Sequence, residues 1–361
     1  MQTLLISTRK GLFQAKESES GYQITNTSFL GDPVTLTLCD ERDGTWYAAL
    51  EHGHFGPKLH RSEDRGETWQ EIGTPSYPEK PESSDDATPW SLKSIWSLTT
   101  AGDDRPGALW CGTIPGGLFY SSDRGDTWTL CEGLWNHPQR TNWFGGGADF
   151  PALHSVIVDP RDSSRVIVGV SCGGVWQTRD AGKTWSVCAD GMRADFMPPD
   201  RAGDPTIQDP HMIAVCKNNP EVMWAQHHCG IWKTTDGAKS WQEITSAGPS
   251  TFGFAVAVHP SDADTAWFVP AVSDQHRVPV DGNVVVTRTR DGGESFAVLT
   301  SGLPQGHAYD LCFRHALDID KSGNRLAFGS TTGSVWTTDN QGDDWQLLSA
   351  NLPPVYAVRF V

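Results

Sequence analysis

The chain has 361 residues, of which 37% are hydrophobic and 20% charged, with 37 glycines, 23 prolines and 16 tryptophans. That length allows a sizeable core, and so many turn residues favour an all-β fold. The formal net charge of −16 speaks against nucleic acid and anionic membrane surfaces as partners, because phosphate binding needs clustered Lys and Arg.

The first segment, LLISTRKGLFQAK (4–16), reads as strand, turn, strand. The opening MQTLLISTRKGLF has no charged region followed by a long apolar one, so no signal peptide is expected. No later run approaches the roughly 20 apolar residues of a membrane span. The eight cysteines (39, 111, 131, 172, 188, 216, 229, 312) stand singly, with no C-x-x-C. They are expected to be reduced and mostly buried in a cytoplasmic protein.

From residue 62 onward one pattern recurs. SEDRGETW (62–69), SSDRGDTW (121–128), TRDAGKTW (178–185), TTDGAKSW (234–241), TRDGGESF (289–296) and TTDNQGDDW (337–345) align with aspartates at 64, 123, 180, 236, 291 and 339. The spacings of 59, 57, 56, 55 and 48 residues match a four-stranded propeller blade with variable loops. Within each unit, strand A (HSVIVDP, 154–160) precedes B (RVIVGVS, 165–171) and C (GVWQTRD, 174–180), then the turn and strand D. PVYAVRFV (354–361) matches a lone strand A. Paired with residues 1–27 it completes a seventh blade and removes exposed sheet edges. The expectation is one domain over 1–361, an all-β, seven-bladed β-propeller closed by both termini.

The turn has a legible chemistry. A Ser or Thr ends a strand, the Asp accepts backbone N–H groups, a Gly supplies positive φ, and the Trp, or Phe296, covers the turn. The fourth copy shifts its Gly by one position and the last carries an extra residue, so both turns are expected to be distorted. This motif resembles the Asp-box, or BNR, repeat, S/T-x-D-x-G-x-T-W, over nearly the whole chain. The resemblance implies a propeller like those of sialidases, VPS10-type receptors, xyloglucan-degrading enzymes and photosystem assembly factors, whose activities differ widely. Sialidases carry an Arg-Ile-Pro motif near the N-terminus, where this chain has STRKG, a departure that speaks against sialidase activity.

If C–D turns lie at one end of the blades, B–C and D–A connections share the other. The long D–A connections, 71–92, 130–153 and 187–210, fall there, and long irregular loops are usually functional or mobile. Nine of the twelve histidines map to the same end. His154 and His211 begin A strands; His52 and His54 (LEHGHFG), His227 and His228 (QHHCG), and His276 lie in B–C connections; His137 lies in a D–A loop; His307 and Tyr309 precede the last full blade. A His-rich lining at the mouth of the channel is therefore expected.

Neutral imidazoles from several strands can hold Zn, Mn or Fe, so His154, His211, His227 and His228 are candidate ligands, with Glu51, Asp149, Asp209 or Asp274 as carboxylate partners. Without a metal, His52, His154, His211 or His228 with Tyr309 or Glu51 can act as general acid and base, a pattern similar to that of some propeller polysaccharide lyases and hydrolases. Lys93, Arg9, Arg140 and Arg277 are candidates for a substrate carboxylate. His54, His276, His307 and Trp143 are further binding candidates. Trp90, Trp135, Trp143 and Phe144 either stack on sugar rings or pin long loops. GGG (145–147) marks a hinge or a close backbone approach; no Lys-Ser/Thr follows to make a phosphate loop, and no nucleotide cofactor is expected. The expected function is a hydrolase or lyase, possible metal dependence included, acting on a small carbohydrate-like or carboxylated substrate. The alternative is a non-catalytic propeller that binds protein or glycan.

Overall fold

The computed structural model describes residues 2–19 and 21–361. Their strands form seven four-stranded sheets, the make-up of a seven-bladed β-propeller. Contacts divide the chain into two compact units, residues 1–37 with 211–361 and residues 38–210. No helix among the described residues is long and apolar enough to cross a membrane.

The first unit holds the sheet built from both termini. Val355–Phe360 pairs antiparallel with Thr3–Thr8, setting Leu4 opposite Phe360 and Ile6 opposite Val358; Gly11–Ser18 and Gly21–Ser28 follow. The C-terminal strand thus takes the A position, as its sequence implies. Leu4, Leu5 and Ile6 are all buried, because an inner strand is covered on both faces. The carboxylate of Asp318 braces the closure, accepting from Phe360 N at 2.8 Å and from Arg359 Nη1 at 3.2 Å. Trp267, Phe328, Trp336 and Trp345 dominate the core of this unit.

The second unit contains two whole sheets, running from Ser94–Thr100 to Ser186–Val187, and the strands Thr45–Glu51, Pro57–Ser62 and Gln70–Ile72 of a third. Its inter-sheet core is built from Trp110, Leu153, Val168, Val170 and Trp176.

All six repeated segments lie between the third and fourth strands of their sheets. In the first, Ser62 Oγ donates to Asp64 Oδ1 (2.8 Å) and accepts from Gly66 N (2.8 Å). Asp64 then accepts from Thr68 N (2.9 Å) and Thr68 Oγ1 (2.5 Å). The fourth and fifth positions are both left-handed in every copy, for example Arg65 (φ 58°) and Gly66 (φ 86°). In the fourth copy Gly237 fills the first of these and Ala238 the second (φ 66°), yet Thr234 and Asp236 make the same bonds. The last copy corrects the sequence alignment. Asn340, not Asp339, takes the Asp place: Thr338 Oγ1 donates to its Oδ1 at 2.7 Å, Asp344 N donates at 3.0 Å, and Gly342 N reaches Thr338 Oγ1 at 3.2 Å. The turn is TDNQGDDW, eight residues with no insertion, and neither turn expected to be distorted departs from the pattern.

The long connections are more ordered than their composition suggests. Residues 130–153 contain a helical turn, Glu132–Trp135, and a 3₁₀ segment, Pro138–Asn142. Arg140 is buried there; it donates to Asp86 Oδ2 (2.5 Å) and to the Trp135 carbonyl, with its guanidinium 4.0 Å from the Trp135 ring centroid. Trp90 Nε1 also donates to Asp86 Oδ2 (2.9 Å). Arg140 is therefore engaged in bracing loops, not offered to a substrate carboxylate. Trp135 and Trp143 are buried at 2% and 7% exposure, Trp143 against Trp176. They pin the loop and present no sugar platform. At Gly145 and Gly146 an added Cβ would lie 2.3 Å from the Asp149 carbonyl and 2.4 Å from Cys172 Sγ, the close backbone approach that GGG implied.

Candidate functional site

Asp209 and His211 stand two residues apart in the chain. Asp209 immediately precedes strand Pro210–Cys216 and is buried; its Oδ1 accepts from Ser171 Oγ (2.7 Å) and Cys172 N (3.1 Å). His211 is also buried, and its Nδ1 lies 2.7 Å from the Gly253 carbonyl oxygen. A carbonyl only accepts, so Nδ1 carries the hydrogen and Nε2 holds the lone pair of the neutral ring.

His228 enters from the hairpin between Asn219–His227 and Gly230–Thr234, where His227 pairs with Gly230. It meets His211 edge-on, with ring centroids 5.4 Å apart. Its side chain is 23% exposed, and Nε2 lies 3.6 Å from Asp274 Oδ2.

An aromatic wall backs the group. His211 stacks on Phe254 at 4.6 Å and 13°, and Phe252 contacts both imidazoles. Phe252, Phe254, Ala271 and Leu311 form one buried cluster, with Phe313 against it. The guanidinium carbons of Arg277 and Arg314 each lie 5.4 Å from the Phe254 ring centroid, and Arg277 Nε donates to the Asp274 carbonyl (2.9 Å).

The other candidates divide by position. His227 is fully buried and its Nδ1 accepts from Cys229 N at 2.9 Å. That bond uses the Nδ1 lone pair, and a neutral ring then carries its hydrogen on Nε2, which removes His227 from the ligand set even though it adjoins His228. His154, buried in Ala152–Asp159, has Nδ1 2.8 Å from Ser155 Oγ. Glu51 ends a strand and His52 follows it, both half-buried. His54 is exposed on the 3₁₀ turn Gly53–Phe55, its ring 4.0 Å from Phe55; the segment is not extended, so the alternation that would align His52 with His54 does not operate. Lys93, His276, Arg277, His307 and Tyr309 are exposed, Tyr309 at 59%. Burial pushes the Cys188 thiol up to about 12 and the Cys111 and Cys312 thiols higher still, so none of these three is an activated nucleophile.

Sequence reasoning named Asp209 only as one of four carboxylates and missed Phe252, Phe254 and Arg314. The signal for the pair was FGF (252–254): two aromatics flanking the glycine whose carbonyl fixes His211. A Cβ on that glycine would meet the Val269 carbonyl at 2.9 Å.

No protein-family model matches the chain. Over 285 residues it is 26% identical to a probable oligoxyloglucan-reducing end-specific xyloglucanase of Neosartorya fischeri; the match covers 71% of this chain and 32% of that protein. The chain thus spans about a third of that relative's length. Among solved structures it is similar to the GH74 xyloglucanase from Xanthomonas campestris, with a TM-score of 0.68 and 17% identity, covering 96% of this chain and 52% of the other. It is also similar to YCF48 from Cyanidioschyzon merolae, with a TM-score of 0.54 and 11% identity, covering 89% and 87%. These likenesses show the seven-bladed propeller fold.

Proposed function

We propose that this chain is a glycan-directed hydrolase whose reactive groups are His211 and His228. The observation that carries the reading is the edge-on meeting of these two imidazoles, ring centroids 5.4 Å apart, beside an aromatic wall. Breaking a glycosidic bond needs an acid to protonate the leaving oxygen and a base to activate water. His228, part-exposed and 3.6 Å from Asp274, is the group a substrate can reach, and it takes the proton-transfer role. His211 is fixed by the Gly253 carbonyl and orients the reacting end. The 26% identity to a protein named a probable xyloglucanase supports a glycan as the substrate class.

The test is release of reducing ends from xyloglucan oligosaccharides and a panel of other glycans. Proton transfer by a placed side chain contributes about 10²–10⁴-fold, so His228→Ala should lower kcat/KM by about 10²-fold or more. His54→Ala, on an exposed turn outside the pair, should leave it within about two-fold, inside the usual spread of a surface change. Cleavage of no glycan, or undiminished cleavage by the His228 variant, overturns the reading.

A further inference from the structure

One loop of the first unit, residues 272–278, carries a cation that the reaction above does not use. We propose that Arg277 is the recognition point for a sugar carboxylate, so that the glycan this chain takes is an acidic one, built with uronic acid residues. That the ligand is a sugar rests on the glycan reading above; the preference for its carboxylate needs no hydrolysis.

The loop holds this side chain in place. It follows strand Ala266–Pro270 and folds back on itself. Val272 N donates to the Val278 carbonyl (2.9 Å), and the His276 carbonyl accepts from Ser273 N (3.3 Å) and Val278 N (2.9 Å). Arg277 Nε donates to the Asp274 carbonyl at 2.9 Å. Its guanidinium carbon lies 5.4 Å from the Phe254 ring centroid, within the roughly 6 Å reach of cation–π attraction. An exposed arginine ordinarily loses rotamer freedom when it grips a ligand; these two contacts have already removed part of it. Nε is taken by the backbone, and among the described residues no carboxylate pairs with this guanidinium. The two terminal amino groups remain. They form the end of the fork that binds a carboxylate through two parallel N–H···O bonds.

The local charge agrees. The chain has 44 acidic and 28 basic residues, yet the guanidinium carbon of Arg314 also lies 5.4 Å from the Phe254 centroid. Two positive charges therefore share one ring in a strongly acidic protein. The Asp274 carboxylate faces His228 Nε2 at 3.6 Å. Exposed charges more than about 8 Å away are largely screened at physiological ionic strength, so the two arginines, not the net charge of −16, set the field that an incoming anion meets. A carboxylate held there is also placed for the reaction. His211 stacks on the same Phe254 ring at 4.6 Å, so the anchor and the imidazole pair are mounted on one side chain.

The test is calorimetric binding to the full chain, with cleavage products followed in the same samples. The probes are trisaccharides of galacturonic and glucuronic acid, and the same sugars with their carboxylates reduced to alcohols. The acidic sugar should bind about ten-fold tighter or more, the scale of a charge-assisted hydrogen bond, and added salt should shrink that advantage. Arg277→Gln should abolish the preference and leave the affinity for the reduced sugar within about two-fold. Arg277→Lys keeps the charge without the fork and should retain only part of the preference. Arg290→Gln, which removes a positive charge from an exposed position on a repeated turn, should keep all of it. Arg277 is exposed, so its variants should keep the native circular dichroism spectrum, which separates loss of recognition from loss of the fold. Equal binding of the acidic and reduced sugars, binding of neither, or a preference that survives Arg277→Gln overturns the proposal. Tighter binding of a sulfated sugar than of the uronates overturns the choice of carboxylate. Acid preference without cleavage leaves this site standing and removes the hydrolase; cleavage of neutral glycans without acid preference does the reverse.

Discussion

At residue scale, the repeated turn shows one side chain deciding the identity of another four positions on. In five copies an aspartate at the third position accepts two bonds from the seventh residue, a backbone N–H on one oxygen and a Ser or Thr hydroxyl on the other. Asn340 keeps the first of these. Its second polar atom is an NH₂ and cannot accept a hydroxyl, and there the seventh residue is Asp344. The Thr68, Thr184 and Ser295 hydroxyls, with the backbone bonds beside them, hold Asp64, Asp180 and Asp291 down at about 2. A carboxyl depressed in the folded state contributes stability that is present above its unfolded value, near 4, and lost as pH falls through the folded value. The urea midpoint should therefore decline between about pH 4 and pH 2. Asp64→Asn should lower the midpoint at pH 7 and flatten that decline, because the amide keeps the bond from Thr68 N and loses the one from the Thr68 hydroxyl. A midpoint independent of pH across that window refutes the account. The register of this last turn was misread because Asp339 offered the expected letter one place too early. The hydrogen bonds, not the letter, define the motif.

At the scale of elements, two of the connections expected to be functional or mobile are clamped. Asp86, Trp90, Trp135 and Arg140 tie residues 71–92 to residues 130–153. Burial alone raises the Asp86 carboxyl, but the hydrogen bonds from Arg140 and Trp90 outweigh it and hold it below its ordinary value. Arg140 is only 7% exposed, so removing its partner strands a buried cation, a change that costs about 3–5 kcal/mol. Asp86→Ala should lose that much in chemical denaturation and expose 71–92 to proteolysis. A loss under ~1 kcal/mol, the range of a surface pair, refutes the clamp. Composition could not reveal this, because Pro, Gly and Asp runs look alike whether a loop is free or pinned by a distant arginine. The same limit applies to the candidate site. The sequence located His211 and His228 through the repeat, since turn spacing fixed where each strand begins and ends. It could not separate His228 from His227, because the difference is one hydrogen bond from Cys229 N. Nor could it show that Asp209 is held by Ser171 and Cys172, far away in the chain.

For the molecule as a whole, the fold was the most legible feature, since every blade repeats the same demand: two buried inner strands, a hydrogen-bonded turn and an exposed outer strand. The sheet made from both termini is the exception that proves informative. The repeated turn is absent from its sequence, and its inner strand comes from the far end of the chain. Val355 and Val358 are almost wholly buried and Phe360 is 9% exposed. At roughly 1.5–3 kcal/mol for each such side chain, their burial contributes about 5 kcal/mol or more, comparable with the entire stability of many domains. Removing 355–361 also strips the backbone partners of Thr3–Thr8 and leaves an unpaired apolar edge, which favours pairing with another chain. The truncated protein should therefore lose cooperative unfolding or aggregate at micromolar concentration. Replacing only Arg359, whose side chain is 42% exposed, by Lys should change stability by less than about 1 kcal/mol. A truncated chain that stays monomeric with an unchanged melting temperature would show that the terminal strand is not what closes this sheet.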